Sequence, residues 1–133
     1  MKNIVDLIKS MPDYIGSNGR SEEEIANAEN EIGITFADDY REYLKKIGLA
    51  CFDGHELTGL TKTERLSVVS VTMEQRKLFG ESALTWYVVE EADIDGIVIW
   101  QASDGAVYVA APWVNAEKVA DSLYDYYSRD NQK

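Results

Sequence analysis

The sequence predicts an α+β fold, a single domain in which three helices precede a group of antiparallel strands and a C-terminal helix closes the chain. Three observations lead there. Apolar residues recur at helical spacing through the first third, short β-branched and aromatic runs fill the second half, and the runs are joined by turns such as Ser103-Asp104-Gly105. Short Asp-Gly connections suit antiparallel neighbours, since a parallel crossover needs a dozen or more residues.

A helix is expected over 3–11, where Ile4, Val5, Leu7, Ile8 and Met11 share a face. Pro12, Gly16, Asn18 and Gly19 mark a loop. Ser21 and Glu24 form a capping box: the serine hydroxyl accepts from the Glu24 amide, and the Glu24 carboxylate reaches back. Ile25, Ala28 and Ile32 line that helix, and Gly33 stops it. Another helix begins at Asp38, with Tyr40, Tyr43, Leu44 and Ile47 on one side, and ends at Gly48. The stretch 49–59 reads as an irregular connection into a short strand near 56–60. The β-branched run 66–71 reads as a strand, followed by a second capping box at 72–75 and a short helix that Gly80 closes. Strands are expected over 85–90, 97–102 and 106–110. Asn115 is then expected to cap a last helix bearing Ala116, Val119, Leu123, Tyr126 and Tyr127, with a frayed polar tail over 129–133.

At 133 residues the chain has the size of one domain, 1–133, with enough apolar content (45%) for a core that needs neither disulfide nor metal. Its single cysteine, Cys51, has no intrachain partner and suits a reducing compartment. The N-terminal apolar residues are interrupted by Asp6 and Lys9, and no run reaches membrane-spanning length, so a cytoplasmic location is expected. Asp and Glu total 24 against 13 Lys and Arg, a net charge of −11. Such a chain repels phosphate backbones and anionic membranes, and it attracts a basic macromolecule. The expected partner is therefore a basic protein, with no direct nucleic-acid or membrane binding.

Catalytic chemistry finds little support. Cys51 and His55 supply the residue types of a nucleophile pair, but nothing in the sequence orients the base. The acidic stretch 91–96 imitates the start of a calcium loop, yet Ala102 stands where the bidentate glutamate belongs. One Cys and one His cannot complete a zinc site. No catalytic residue, cofactor or metal is expected. Large aromatics, Trp86, Trp100, Tyr108 and Trp113, fall in or beside the strands. Alternation in 97–102 places Val98 and Trp100 on one face and Ile97 and Ile99 on the other, so both faces carry apolar residues, one to cover the helices and the other a candidate aromatic surface for a partner.

The segment 25–48, with Glu29, Gly33, Asp39, Tyr40 and Leu44 in matching places, resembles the signature of the SUKH superfamily, which includes bacterial toxin-immunity proteins and Smi/Knr-type cell-wall regulators. Gly59, the strand ending at Trp100, the turn at Asp104-Gly105 and a closing helix with Ala120-Asp121-Ser122-Leu123 follow the same order. Phe36-Ala37 replaces the usual Leu-Pro. The resemblance implies an antiparallel sheet with helices packed on one side, and a non-enzymatic immunity protein that binds and neutralises a cognate toxin, with an adaptor of the Smi/Knr kind as the alternative. It also implies structural roles for Glu29 and Asp39. The expected partner surface comprises Asp53, Glu56, Trp86, Glu90, Glu91, Asp93, Asp95 and Asp104, whose carboxylates would mimic phosphate in a nuclease cleft while Trp86 anchors.

Overall fold

The computed structural model describes residues 3–80, 85–92, 96–111 and 114–131. The Asn3 side chain accepts from the amides of Val5 and Asp6 and opens α1, Ile4–Ser10. A two-residue strand, β1 (Ile15–Gly16), precedes α2 (Glu22–Ile32), whose capping box of Ser21 and Glu24 forms as the spacing predicts. Gly33 ends α2 at φ 83°, a conformation that costs a β-carbon-bearing residue energy. Next come α3 (Asp38–Lys46), β2 (Ala50–Phe52) and β3 (His55–Glu56). A 3-10 turn, Glu64–Leu66, leads into α4 (Val68–Phe79). Four strands follow, β4 (Trp86–Glu91), β5 (Val98–Ala102), β6 (Val107–Ala111) and β7 (Val114–Ala120), and then α5 (Leu123–Asn131).

The strands form two antiparallel sheets, β1-β2-β3 and β4-β5-β6-β7. One face of the larger sheet, carrying Tyr87, Val89, Ile99 and Val107, shares the main core with Ile8, Ile25, Tyr40, Leu44 and Leu123 of the helices. The opposite face carries Val88, Val98, Trp100 and Ala110, and Val71 and Phe79 of α4 pack onto it. Trp100 is fully buried there, so the expected open aromatic face is closed at its centre. Its indole N–H has no hydrogen-bond partner among the described residues. Trp86 and Tyr108, half-buried at the margin, stack with ring centres 4.2 Å apart.

Four local expectations are corrected. The run 66–71 is not a strand. Ser67 caps α4 by accepting from the Ser70 amide, and Val68, Val71 and Thr72 are buried at helical spacing, so packing overrides β-propensity. Thr72 opens no second helix, because its hydroxyl oxygen accepts from the Val88 amide. The segment 114–120 is a strand, because β6 needs a partner on its outer side. Its exposure at 115–118 leaves no alternation to read. Ser122, not Asn115, caps the last helix, accepting from the Asp125 amide, and the helix runs on through Asn131. The stretch 49–59 is a hairpin: Asp53 and Gly54 both hold positive φ, 46° and 82°, as a two-residue type I′ turn requires.

Strand β4 lies at a sheet edge, but its outer groups are taken. The Thr58 amide donates to Val89 O, and the Thr58 hydroxyl donates to Val88 O. Since that hydroxyl has one proton, the Tyr40 hydroxyl must donate to it at 2.8 Å. The hydroxyl of Tyr43 then donates to Thr58 O and accepts from the Ala50 amide. A buried chain of hydrogen bonds thus ties α3 and the small sheet to the edge of β4.

Candidate functional site

Between the β2–β3 hairpin, the end of β4 and α5 lies a groove of about 520 Å³, lined in part by His55, Glu56, Arg65, Glu90, Glu91 and Tyr126. A β-bulge makes its floor. Val88 pairs with Trp100 and Glu90 with Ile99, so Val89 is the extra residue in β4. That residue turns Glu90 from the Trp100 face onto the core face beside Ile99. The Glu90 side chain is only 6% exposed. One carboxyl oxygen accepts from the Tyr127 hydroxyl at 2.7 Å, and the other lies 2.9 Å from His55 Nδ1. The His55 ring packs edge-on against Tyr127, centroids 5.1 Å apart, and against Phe52 at 5.6 Å. Burial, and then the charge of Glu90, push the Tyr127 hydroxyl well above the ordinary phenol range.

The rim is more exposed. Arg65 grips Glu56 with both guanidinium arms, at 2.9 and 3.2 Å, and this holds the Glu56 carboxyl below its usual range. Glu91 accepts from the Gln75 amide of α4 at 2.5 Å. Among the described residues no lysine or arginine pairs with Glu90 or Glu91. The groove therefore offers negative potential at a partly dry floor, the environment in which a cationic side chain gains most from pairing.

The expected partner residues divide. Glu56, Glu90 and Glu91 come together in this groove, and Asp53 stands exposed in the adjoining hairpin turn. Glu90 is corrected in one respect: it is not a surface carboxylate but the groove's buried floor, because the bulge reverses its side. Trp86 and Asp104 lie elsewhere. Trp86 begins β4 and pairs with Ala102, next to the β5–β6 turn that holds Asp104. Five residue steps of about 3.3 Å then separate Trp86 from Glu91. Trp86 and Asp104 thus stand at the other end of the sheet. Asp93 and Asp95 lie outside the described residues, as does Trp113. Sequence reasoning missed Tyr127 and Arg65 as parts of the site, and it missed His55 as the partner of Glu90. The available signal for the hairpin was the Asp53-Gly54 pair between apolar residues; the bulge leaves none.

Cys51 and His55 do not form a nucleophile pair. Phe52 is opposite His55 and Cys51 opposite Glu56 in the hairpin, and neighbours along a strand point to opposite faces, so the thiol and the imidazole point apart. Cys51 instead lines an apolar pocket on the outer side.

The residues that carried the family resemblance are pins between elements. Glu29 accepts from the Phe36 amide at 2.8 Å and from Arg41 at 2.5 Å, fixing the turn from α2 to α3. Asp39 accepts from Gln101 at 3.0 Å and from the Leu123 amide at 2.7 Å, so a carboxyl on α3 ties β5 to the first turn of α5. Its burial raises it above the ordinary aspartate range, against the pull of those donors. Gln101 is held by the Tyr87 hydroxyl, which in turn accepts from the Ala37 amide.

The solved structures include a relative in shape: a crystal structure of a protein from Pseudomonas syringae pv. tomato matches 96% of this chain and 94% of its own, with a TM-score of 0.76 at 13% identity. At that identity the likeness speaks for the fold alone. No curated protein matches the sequence. Among the described residues no helix is long and apolar enough to cross a membrane. The family described as SUKH_5, SMI1-KNR4 cell-wall, matches residues 1–129, a span that takes in every pin described above. On that match the chain belongs to the SMI1-KNR4 family of the SUKH superfamily.

Proposed function

We propose that the chain is an immunity protein that binds and neutralises a cognate basic toxin domain, by complementarity rather than by catalysis. The observation that carries this reading is the groove, whose Glu90 and Glu91 have no lysine or arginine partner among the described residues of a chain with net charge −11. The exposed rim carboxylate of Glu91, above the buried Glu90, would take the place of a phosphate oxygen in a cationic cleft, and the negative field would steer encounter. Family membership supports a binding role. Co-expression with the product of the adjacent upstream gene tests it. Growth rescue with co-purification is expected, and the absence of both rescue and complex would overturn the proposal. The family's association with the cell wall favours one second reading, an adaptor that binds a host protein. That reading requires a stable complex with a protein that is not toxic by itself.

A further inference from the structure

We propose that the groove and an adjoining apolar pocket form one docking surface, for a partner segment presenting a basic side chain beside an apolar one. The inference rests on the binding reading above and specifies the chemistry bound. The second pocket, about 190 Å³, is lined by Ile15, Leu49, Cys51 and Leu57, and it shares Glu56 and Leu66 with the groove. The two cavities thus have a common wall. Alternation in the hairpin explains the arrangement: His55 turns in toward Glu90 and Tyr127, while Glu56 and Cys51 turn outward.

Each half selects a different group. An apolar cavity of about 150 Å³ is enough to hold benzene, so this one accommodates a leucine or phenylalanine side chain. Ile15, 69% exposed beside it, supplies further apolar surface at the open edge of β1. Across the wall, the exposed Glu91 offers charge that no described lysine or arginine answers, above the buried Glu90 that Tyr127 and His55 hold. Charge complementarity therefore selects a basic occupant, and the apolar pocket requires that an aliphatic or aromatic residue accompany it. An acidic or purely polar segment satisfies neither half.

Titration of isotope-labelled protein with the peptide acetyl-Arg-Leu-Arg-Leu-amide, followed by amide chemical shifts, tests this. Two controls are acetyl-Arg-Gly-Arg-Gly-amide and acetyl-Glu-Leu-Glu-Leu-amide. Saturable shifts are expected at both Ile15, Leu49 and Cys51 and at His55, Glu90 and Glu91. Affinity should be about tenfold or more above the Arg-Gly control, the gain expected from burying one apolar side chain, and the Glu-Leu control, repelled by the acidic groove, should bind more weakly than the Arg-Leu peptide. Ile15→Ser, an exposed change that leaves the fold alone, should narrow the difference between the Leu and Gly peptides, and bound peptide should slow alkylation of Cys51. Equal binding of the Arg-Leu and Arg-Gly peptides, or no saturable shift at the pocket residues, would overturn the proposal. The outcome is separable from the immunity reading, because growth rescue can succeed with no peptide response and the peptide response needs no toxin.

Discussion

Burying a carboxyl group costs several kcal/mol unless its oxygens find donors, and Glu90 finds one on each side, Tyr127 on α5 and His55 on β3. Three elements meet at that side chain. Tyr127→Phe removes one donor without opening a cavity. It should lower stability by about 1–3 kcal/mol, the cost of an unsatisfied buried acceptor, with denaturant unfolding as the measurement; an unchanged midpoint would show that water replaces the hydroxyl. Asp39 makes a second prediction. Its folded-state pKa lies above the ordinary 3.8, so the folded protein holds that proton more tightly than the unfolded chain. The contribution of Asp39 is present in full below 3.8 and is lost as pH rises through the raised folded value. Relative to Asp39→Asn, the wild type should therefore lose stability as pH climbs through that window, and parallel pH profiles would contradict the assignment. Asp39 and Glu29 were legible as a spaced motif within 25–48. The Glu90 floor was not, since a bulge depends on which residues the neighbouring strand supplies.

At the scale of elements, packing decided what propensity left ambiguous. The sequence Leu66-Ser67-Val68-Val69-Ser70-Val71 is rich in β-branched residues, yet it begins α4, because Val68, Val71 and Thr72 fit one buried helical face under β4. The Thr72 hydroxyl also satisfies the Val88 amide at the sheet edge. Thr72→Val keeps the shape and orphans that amide, so a loss of about 1–3 kcal/mol is expected by thermal or denaturant unfolding; a neutral result would remove Thr72 from the account of the edge. Gly59 marks a close crossing of chains. A β-carbon there would stand 2.1 Å from the Gly48 carbonyl oxygen, so Gly59→Ala must displace backbone and should cost about 1–3 kcal/mol or more. Elements with strong end signals, such as α2 with its capping box and the Asp104-Gly105 turn, were readable directly. Strand β7 was not, because only pairing with β6 makes its exposed residues a strand.

For the molecule as a whole, the net charge of −11 and the placement of Glu56, Glu90 and Glu91 in one groove form a single argument about encounter. The charge was legible from composition; the meeting of Glu56, Glu90 and Glu91 in one groove, away from Trp86 and Asp104, required the fold. Reversing the exposed Glu91 with Glu91→Lys should slow association with a basic partner while stability changes by no more than about 0.5 kcal/mol. Equal association rates for Glu91→Lys and wild type would move the contact surface away from the groove. The most direct test of the central claim is the association rate constant of this chain with the basic toxin domain proposed as its partner, followed from low to high salt. Steering by the acidic groove predicts a steep fall, about tenfold or more, and a rate indifferent to salt would contradict electrostatic capture of a basic partner.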